Sequence, residues 1–119
     1  MERILVIGED QRAMEELGLA LLDRGVGVVM ADNVCEGVRA LLATPVSLVV
    51  VDAALLRLTA REQAVLFEQV APGVEVAVVV RETTSLAQRV ALELVGFRVL
   101  TGPAVVEDLL EKNVSAGVR

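Results

Sequence analysis

Three acidic residues are the side chains best suited to chemistry in this chain. Glu9 and Asp10 follow an apolar run near the N-terminus, and Asp52 directly follows another apolar run. If these runs form neighbouring parallel strands, the three carboxylates meet at one edge of the sheet. Such a cluster suits a hard cation such as Mg²⁺ or Ca²⁺, and a lone carboxylate there can accept a phosphoryl group. The simpler alternative is that Glu9 and Asp10 stabilise the start of a helix, where negative charge is favourable.

The remaining composition disfavours most enzymes. The 119 residues include no His, so the usual general base and the commonest metal ligand are absent. Cys35 is the single cysteine and cannot form an internal disulfide; we expect it to be a buried packing residue.

The net charge of −6 and the lack of Trp and Tyr disfavour direct nucleic-acid binding. The apolar runs are too short for a signal peptide or a membrane span, so we expect a cytoplasmic protein without membrane contact.

Five short Val- and Ile-rich runs alternate with stretches of helical spacing. The runs are nearly continuous in apolar residues, which is typical of parallel strands covered on both faces. The predicted strands are residues 3–7, 26–30, 48–51, 75–80 and 97–100. The predicted helices are residues 11–24, 33–44, 59–71, 84–95 and 104–113. This order predicts an α/β fold, a doubly wound five-stranded parallel sheet with helices on both faces, in one domain over residues 1–114, followed by a tail or linker start at 115–119.

The segments ILVIGED, LLDRGVGVVMADNVCEGVRALL, SLVVVDAALL and ALELVGFRVLTGP resemble, in this order and spacing, the receiver domain of two-component response regulators. The resemblance covers nearly the whole chain. It implies a flavodoxin-like (βα)5 fold and places Asp52 at the phosphoacceptor position. It also implies that any Mg²⁺ would be held by Glu9, Asp10 and Asp52; otherwise no cofactor is expected.

The chain departs from the receiver pattern at several positions that carry the phosphorylation switch. Gly8 replaces the first member of the acidic pair, and Gly102 replaces the lysine that precedes a proline. Val80 or Arg81 stands where the family has a Ser or Thr, and Val99 stands at the aromatic position of the fifth strand. The lost Lys and hydroxyl would have contacted the phosphoryl oxygens. These losses indicate a degenerate, or pseudo-, receiver.

We therefore predict a non-enzymatic signalling module that acts by protein–protein contact without conventional phosphorylation switching. One alternative is an atypical receiver that is still phosphorylated on Asp52, with Arg81 replacing the charge of the missing lysine. For Arg81 itself, a solvated loop cation is the simpler expectation. A flavodoxin-like binder of a small ligand is a third possibility, although the chain lacks a Gly-rich phosphate loop.

The resemblance also indicates where partners would bind. In receivers the face formed by the fourth helix, fifth strand and fifth helix commonly mediates dimerisation. The expected partners are a protein or a fused output domain, such as a DNA-binding or ATPase module, and a second copy of this chain. The residues predicted for this interface are Leu86, Val90, Glu93, Arg98, Val105, Glu107 and Asp108.

Overall fold

The computed structural model describes residues 3–8, 11–56, 58–81 and 83–101. The strands in this part of the chain are β1 (Arg3–Ile7), β2 (Gly27–Ala31), β3 (Leu48–Asp52), β4 (Glu75–Val80) and β5 (Arg98–Thr101). The helices are α1 (Gln11–Asp23), α2 (Val34–Ala43), α3 (Ala60–Val70) and α4 (Leu86–Leu94), and one 3₁₀ turn, Ala53–Leu55, follows β3. The predicted fifth helix, the domain end at 114 and the tail lie outside the described residues.

The strands form a single parallel sheet in the order β2-β1-β3-β4-β5. The order reverses between β1 and β3, and crevices at such a point lie outside the carboxyl ends of the strands. The sequence-based prediction of a flavodoxin-like, five-stranded parallel sheet is confirmed. The end of β3, where Asp52 lies, is therefore at the expected functional edge.

Both faces of the sheet are buried, which explains why the strands are almost entirely apolar. Ile4 and Val6 point to the side covered by α1, where they pack with Leu17 and Leu21. The alternate residues of each strand point to the opposite side, which is covered by α2, α3 and α4 and centred on Phe67. Burying apolar area on both faces is the main stabilising contribution in such a sheet.

Helix α2 packs closely on β1 because its inward face carries a glycine. Gly37 is buried, and a Cβ at this position would lie 2.9 Å from Ile7 Cγ1 and closer still to Ile7 Cδ1. A glycine within a helix lowers stability by about 1 kcal/mol relative to alanine. The closer packing of α2 on β1 must offset this loss. The position of α2 over the carboxyl end of β1 depends on this missing methyl group.

The helix starts match signals in the sequence. The Thr59 side chain accepts a hydrogen bond from the Glu62 N–H, and the Glu62 carboxylate accepts one from the Thr59 N–H, so the two residues form a capping box. Ser85 and Gln88 form a second capping box at the start of α4. Capping satisfies backbone N–H groups that have no partner within the helix, and it fixes where α3 and α4 begin.

One sequence-based expectation about packing is wrong. Cys35 is exposed, not buried. The face of α2 that packs on the sheet is set by Gly37 and Leu41, which are four residues apart and both buried. Cys35 precedes Gly37 by two residues and therefore lies on another face of the helix.

None of the helices in the described ranges combines the length and apolar composition needed to cross a bilayer.

Candidate functional site

Asp52 is the last residue of β3, and its carboxylate is almost completely buried. Only 6% of the residue is exposed. Its Oδ1 accepts a hydrogen bond of 2.9 Å from the Ala54 N–H, which begins the 3₁₀ turn after the strand. The turn therefore fixes the orientation of the carboxylate at the edge of the sheet.

The second oxygen of this carboxylate is bound by an arginine. Arg81 follows β4, and its Nη2 donates to Asp52 Oδ2 at 2.9 Å. Asp52 lies opposite Val79 in the parallel register, so Arg81, two residues further along, leaves the strand end beside it. The Arg81 side chain is 58% exposed and the Asp52 side chain 7%. The expectation that Arg81 is only a solvated loop cation is therefore wrong.

The backbone of Arg81 is held by the loop and helix that follow it. Its N–H donates to Thr84 Oγ1 at 3.1 Å, and its carbonyl accepts from the Thr84 N–H at 2.9 Å. The same carbonyl accepts a hydrogen bond of 3.0 Å from Arg89 Nη2 on α4. These bonds fix the position from which Arg81 reaches Asp52.

Three other positions that differ from the receiver pattern, Gly8, Val80 and Val99, lie within the described residues. Gly8 is buried, and its N–H donates to the Ala31 carbonyl at 3.0 Å, which extends the β1–β2 pairing. Val80 is 2% exposed within the larger apolar cluster, and Val99 packs against the same cluster. Neither valine can offer a hydroxyl or an aromatic ring to the end of the sheet. Gly102 lies outside the described residues.

A magnesium site of Glu9, Asp10 and Asp52 stays a prediction, because the first two residues lie outside the described ranges. Within those ranges, no group of three His, Cys, Asp or Glu side chains is placed to hold a metal ion. Both oxygens of Asp52 are already engaged by donors. A cation bound to Oδ2 would therefore lie close to the positively charged Arg81 guanidinium, and the two positive charges would repel each other.

A cleft of about 520 Å³ lies beside the Asp52–Arg81 pair, between the loop after β3 and helix α4. Leu56 and Leu92 contribute to its apolar walls, and Arg81, Thr84 and Gln88 contribute polar groups. The cleft places the ion pair next to the N-terminal half of α4.

Three exposed apolar residues form a stripe along α4, which we call the α4 stripe: Leu86, Val90 and Leu94. Their exposed fractions are 76%, 44% and 81%, and their spacing of four residues places them on one side of the helix. Leu86 and Val90 were predicted as interface residues; Leu94 was missed, although the same spacing could have revealed it.

The other predicted interface residues differ in how they are placed. Glu93 is exposed on α4, whereas only 18% of the Arg98 side chain is exposed, and Arg98 Nη1 lies 3.2 Å from Glu75 Oε1. Val105, Glu107 and Asp108 lie outside the described residues. Among the described residues of the predicted surface, the accessible ones are therefore mainly on α4.

Neither a scan against protein-family models nor a comparison with curated proteins finds a match to this chain. Comparison with solved structures does. A receiver domain protein from Methanospirillum hungatei is 23% identical, with a TM-score of 0.81 and coverage of 98% of this chain and 93% of that one. A two-component response regulator from Clostridium difficile is 16% identical, with a TM-score of 0.83 and coverage of 100% and 98%.

A third similar structure is a response regulator from Burkholderia pseudomallei with a phosphorylated aspartic acid, a calcium ion and citrate. It is 25% identical and has a TM-score of 0.78. The match covers 98% of this chain and 72% of that one. The chain thus has the fold of response-regulator receiver domains.

Proposed function

We propose that this chain is a receiver-like signalling module of the two-component type that binds other proteins and does not use phosphorylation of Asp52 as its switch. The observation that carries the proposal is the ion pair of 2.9 Å between Arg81 Nη2 and Asp52 Oδ2. A guanidinium is always charged in proteins, so Arg81 offers Asp52 a positive charge at every physiological pH. We also propose that the chain is a degenerate receiver, that it works in the cytoplasm and that it has no enzymatic activity.

The pairing works against Asp52 as a nucleophile. A carboxylate attacks a phosphoryl group through a lone pair, and here each oxygen already accepts a hydrogen bond. One of these bonds comes from a cation, which stabilises the carboxylate and lowers its tendency to react. Attack would have to use a remaining lone pair of a carboxylate that is almost completely buried and held by the guanidinium.

The residues that could transmit phosphorylation are also unsuited to it. Val80 and Val99 are part of, or packed against, the apolar cluster under α2, α3 and α4. A phosphoryl group at Asp52 would find no hydroxyl at Val80, because that side chain is apolar and buried. We therefore expect phosphorylation of Asp52 to change the packing around the sheet very little.

The test is treatment with acetyl phosphate, or with beryllofluoride, in the presence of Mg²⁺. Mass spectrometry and two-dimensional NMR spectra of the treated protein are the measurements, with Asp52→Asn as the matched control. We expect no stoichiometric addition, and spectra that change no more than those of the control. Stoichiometric modification of Asp52, with large shifts in α4, would contradict the proposal.

The same contact also favours a second candidate, an atypical receiver phosphorylated on Asp52. In that case Arg81 would supply the positive charge that Gly102 lacks, and Glu9, Asp10 and Asp52 would hold Mg²⁺. A Mg²⁺ titration separates the two candidates. The atypical receiver requires phosphorylation that depends on Mg²⁺ and is lost in Arg81→Met, whereas our first proposal expects none in either protein.

We further propose that the α4 stripe is the surface that meets a protein partner, an output domain or a second copy of this chain. Support comes from the exposure of its three apolar residues and from the charged Glu93 beside them. A mixture of apolar and charged residues is typical of interfaces that form and dissociate.

A further inference from the structure

We propose that the cleft beside the Asp52–Arg81 pair is a binding site for a small monocarboxylate with an apolar body. The cleft has a volume of about 520 Å³, which is within the range of sites that bind small molecules. It lies at the carboxyl ends of β3 and β4, the edge of a parallel sheet where ligands bind. Such a ligand goes beyond the proposed function, which assigns only protein partners to the chain.

Small and apolar side chains make the space in this cleft. Four alanines line it: Ala53 and Ala54 in the turn after β3, Ala60 at the start of α3, and Ala91 on α4. The side chain of each is a single methyl group, so these positions leave room that a leucine would fill. The apolar walls are completed by three leucines: Leu56, Leu58 and Leu92. The part of the ligand that enters the cleft is therefore apolar.

The polar side chains that line the cleft retain hydrogen-bond donors. The hydroxyl oxygens of Thr59 and Thr84 each accept a hydrogen bond from a backbone N–H. The Oε1 atom of Gln88 also accepts from a backbone N–H. The two hydroxyl protons and the amide N–H groups of Gln88 take part in none of these bonds and are left to donate. A ligand that meets these groups has to supply acceptors.

Arg81 adds a positive charge to the same walls. Its side chain lines the cleft and is 58% exposed, whereas its partner Asp52 is almost completely buried. No Asp or Glu occurs among the described residues that line the cleft. A carboxylate would therefore meet donors and one cation there, and hydrogen bonds to a charged acceptor are the stronger kind. The charge of Arg81 acts on the ligand across the cleft and does not require its bond to Asp52 to break.

The test uses three probes with one apolar body: 3-phenylpropionate, 3-phenylpropionamide and 3-phenylpropylammonium. Each is titrated into the native chain, and two-dimensional NMR spectra follow the backbone signals of Ala54, Thr84 and Ala91. We expect saturable shifts with the carboxylate. The ammonium compound should bind more weakly by about tenfold or more, because it has no acceptor. The amide keeps an acceptor but lacks the charge, so its affinity should lie between the other two.

Two substitutions test the apolar and the charged part of the site separately. Ala91→Leu fills the cleft from an exposed position on α4 and should abolish saturable binding of the carboxylate. Ala43→Leu is the matched control, because Ala43 is an exposed helical alanine of α2 that does not line the cleft. Arg81→Met should weaken binding of the carboxylate by about fivefold or more and should not weaken binding of the ammonium compound.

Equal affinity for the carboxylate and the ammonium compound, or equal effects of Ala91→Leu and Ala43→Leu, would overturn the proposal. So would the absence of saturable shifts at the cleft. If Arg81→Met does not fold, Ala91→Leu still decides the result, since a leucine at an exposed helical position preserves the fold. No phosphorylation reagent is used. Phosphorylation of Asp52 would therefore contradict the proposed function and leave this result unchanged, whereas a carboxylate that does not bind would leave the proposed function in place.

Discussion

At the scale of single residues, the Asp52–Arg81 pair is asymmetric, and its two members should respond differently to mutation. Asp52 is buried and Arg81 is mostly exposed. Removing Arg81 leaves a buried carboxylate without its cation, whereas removing the charge of Asp52 leaves an arginine that water can solvate. We therefore expect the loss of Arg81 to lower the stability of the fold more than the loss of the Asp52 charge.

We predict that Arg81→Met lowers the free energy of unfolding by about 1–2 kcal/mol, a value reduced for the exposure of Arg81. In an Asp52→Asn background the same change should cost less than about 0.5 kcal/mol, because the buried charge is already gone. Urea unfolding of the four proteins measures both values.

The control for this prediction is Arg12→Met. Arg12 Nε lies 3.9 Å from Glu16 Oε1, and both side chains are largely exposed. We expect a change within about 0.5 kcal/mol. If Arg81→Met is equally mild, the buried pair does not contribute to stability as described.

The sequence predicts Asp52 directly, whereas Arg81 enters only in one alternative, as a replacement for the charge of the missing lysine. Asp52 ends an apolar run, and this position indicates a strand end without knowledge of any other strand. The role of Arg81 depends on the register that sets Asp52 opposite Val79, and register is a property of two strands together. No pattern within residues 75–84 could reveal it.

At the scale of elements, the contact between α2 and β1 leads to the second prediction. Gly37→Ala would raise helix propensity, but its methyl group would meet Ile7 in the core. We expect the clash to dominate, with a loss of about 1–3 kcal/mol in the free energy of unfolding. Ile7→Val removes the nearest methyl group, so the double variant should lose less than the sum of the two single variants.

Gly18→Ala is the matched control for that substitution, because Gly18 is also a buried helical glycine. A Cβ there would lie 3.3 Å from Met30 Sδ, at the end of a flexible side chain that can adjust. We expect unchanged stability or a gain of up to about 1 kcal/mol. A loss as large as that of Gly37→Ala would show that close packing at Gly37 is not special.

The capping box of α3 leads to a third prediction, about pH. Hydrogen bonds from the Thr59 backbone N–H and hydroxyl hold the pKa of Glu62 below its usual value. Because the pKa is lower in the folded state, this contribution is complete above the unfolded-state pKa and is lost as the pH falls through the folded-state pKa.

Thermal unfolding of the native chain and of Glu62→Gln tests this effect. Gln can also close a capping box but does not titrate. We expect the native chain to lose stability relative to Glu62→Gln as the pH falls below about 4.5, with a constant difference near neutrality. A difference that does not change with pH would contradict the assigned hydrogen bonds.

Element types and caps follow from the sequence, whereas the buried face of a helix follows only in part. Thr59 and Glu62 are three residues apart, and this spacing identifies the start of α3 from local chemistry alone. Leu41 and Leu42 are adjacent and equally apolar, yet Leu41 is buried and Leu42 is 71% exposed. The choice between them is made by the close approach at Gly37, which requires the sheet.

At the scale of the whole molecule, the order of strands joins these local features into one site. The sheet order β2-β1-β3-β4-β5 sets β3 beside β4, and this adjacency brings Asp52 and Arg81 together although they are 29 residues apart in sequence. The edge-to-face contact of Phe67 and Phe97, with centroids 6.3 Å apart, ties α3 to the start of β5 on the same side of the sheet. Alternation of strands and helices predicts this topology well, because right-handed crossovers leave few alternatives.

The last prediction concerns association of whole molecules. Within the described residues, the α4 stripe exposes three apolar side chains along one side of a helix, whereas Leu42 is exposed on a different helix, α2. We expect the native chain to form a homodimer in the micromolar range through this stripe, as measured by light scattering or analytical ultracentrifugation. Leu94→Lys places a charge in the stripe and should weaken the dimer at least tenfold, equivalent to about 1.4 kcal/mol. Leu42→Lys removes a leucine of α2 that is 71% exposed, compared with 81% for Leu94, and should leave association unchanged. A monomer throughout the micromolar range, or equal effects of the two substitutions, would exclude the stripe as a self-association surface and leave a different protein as its partner.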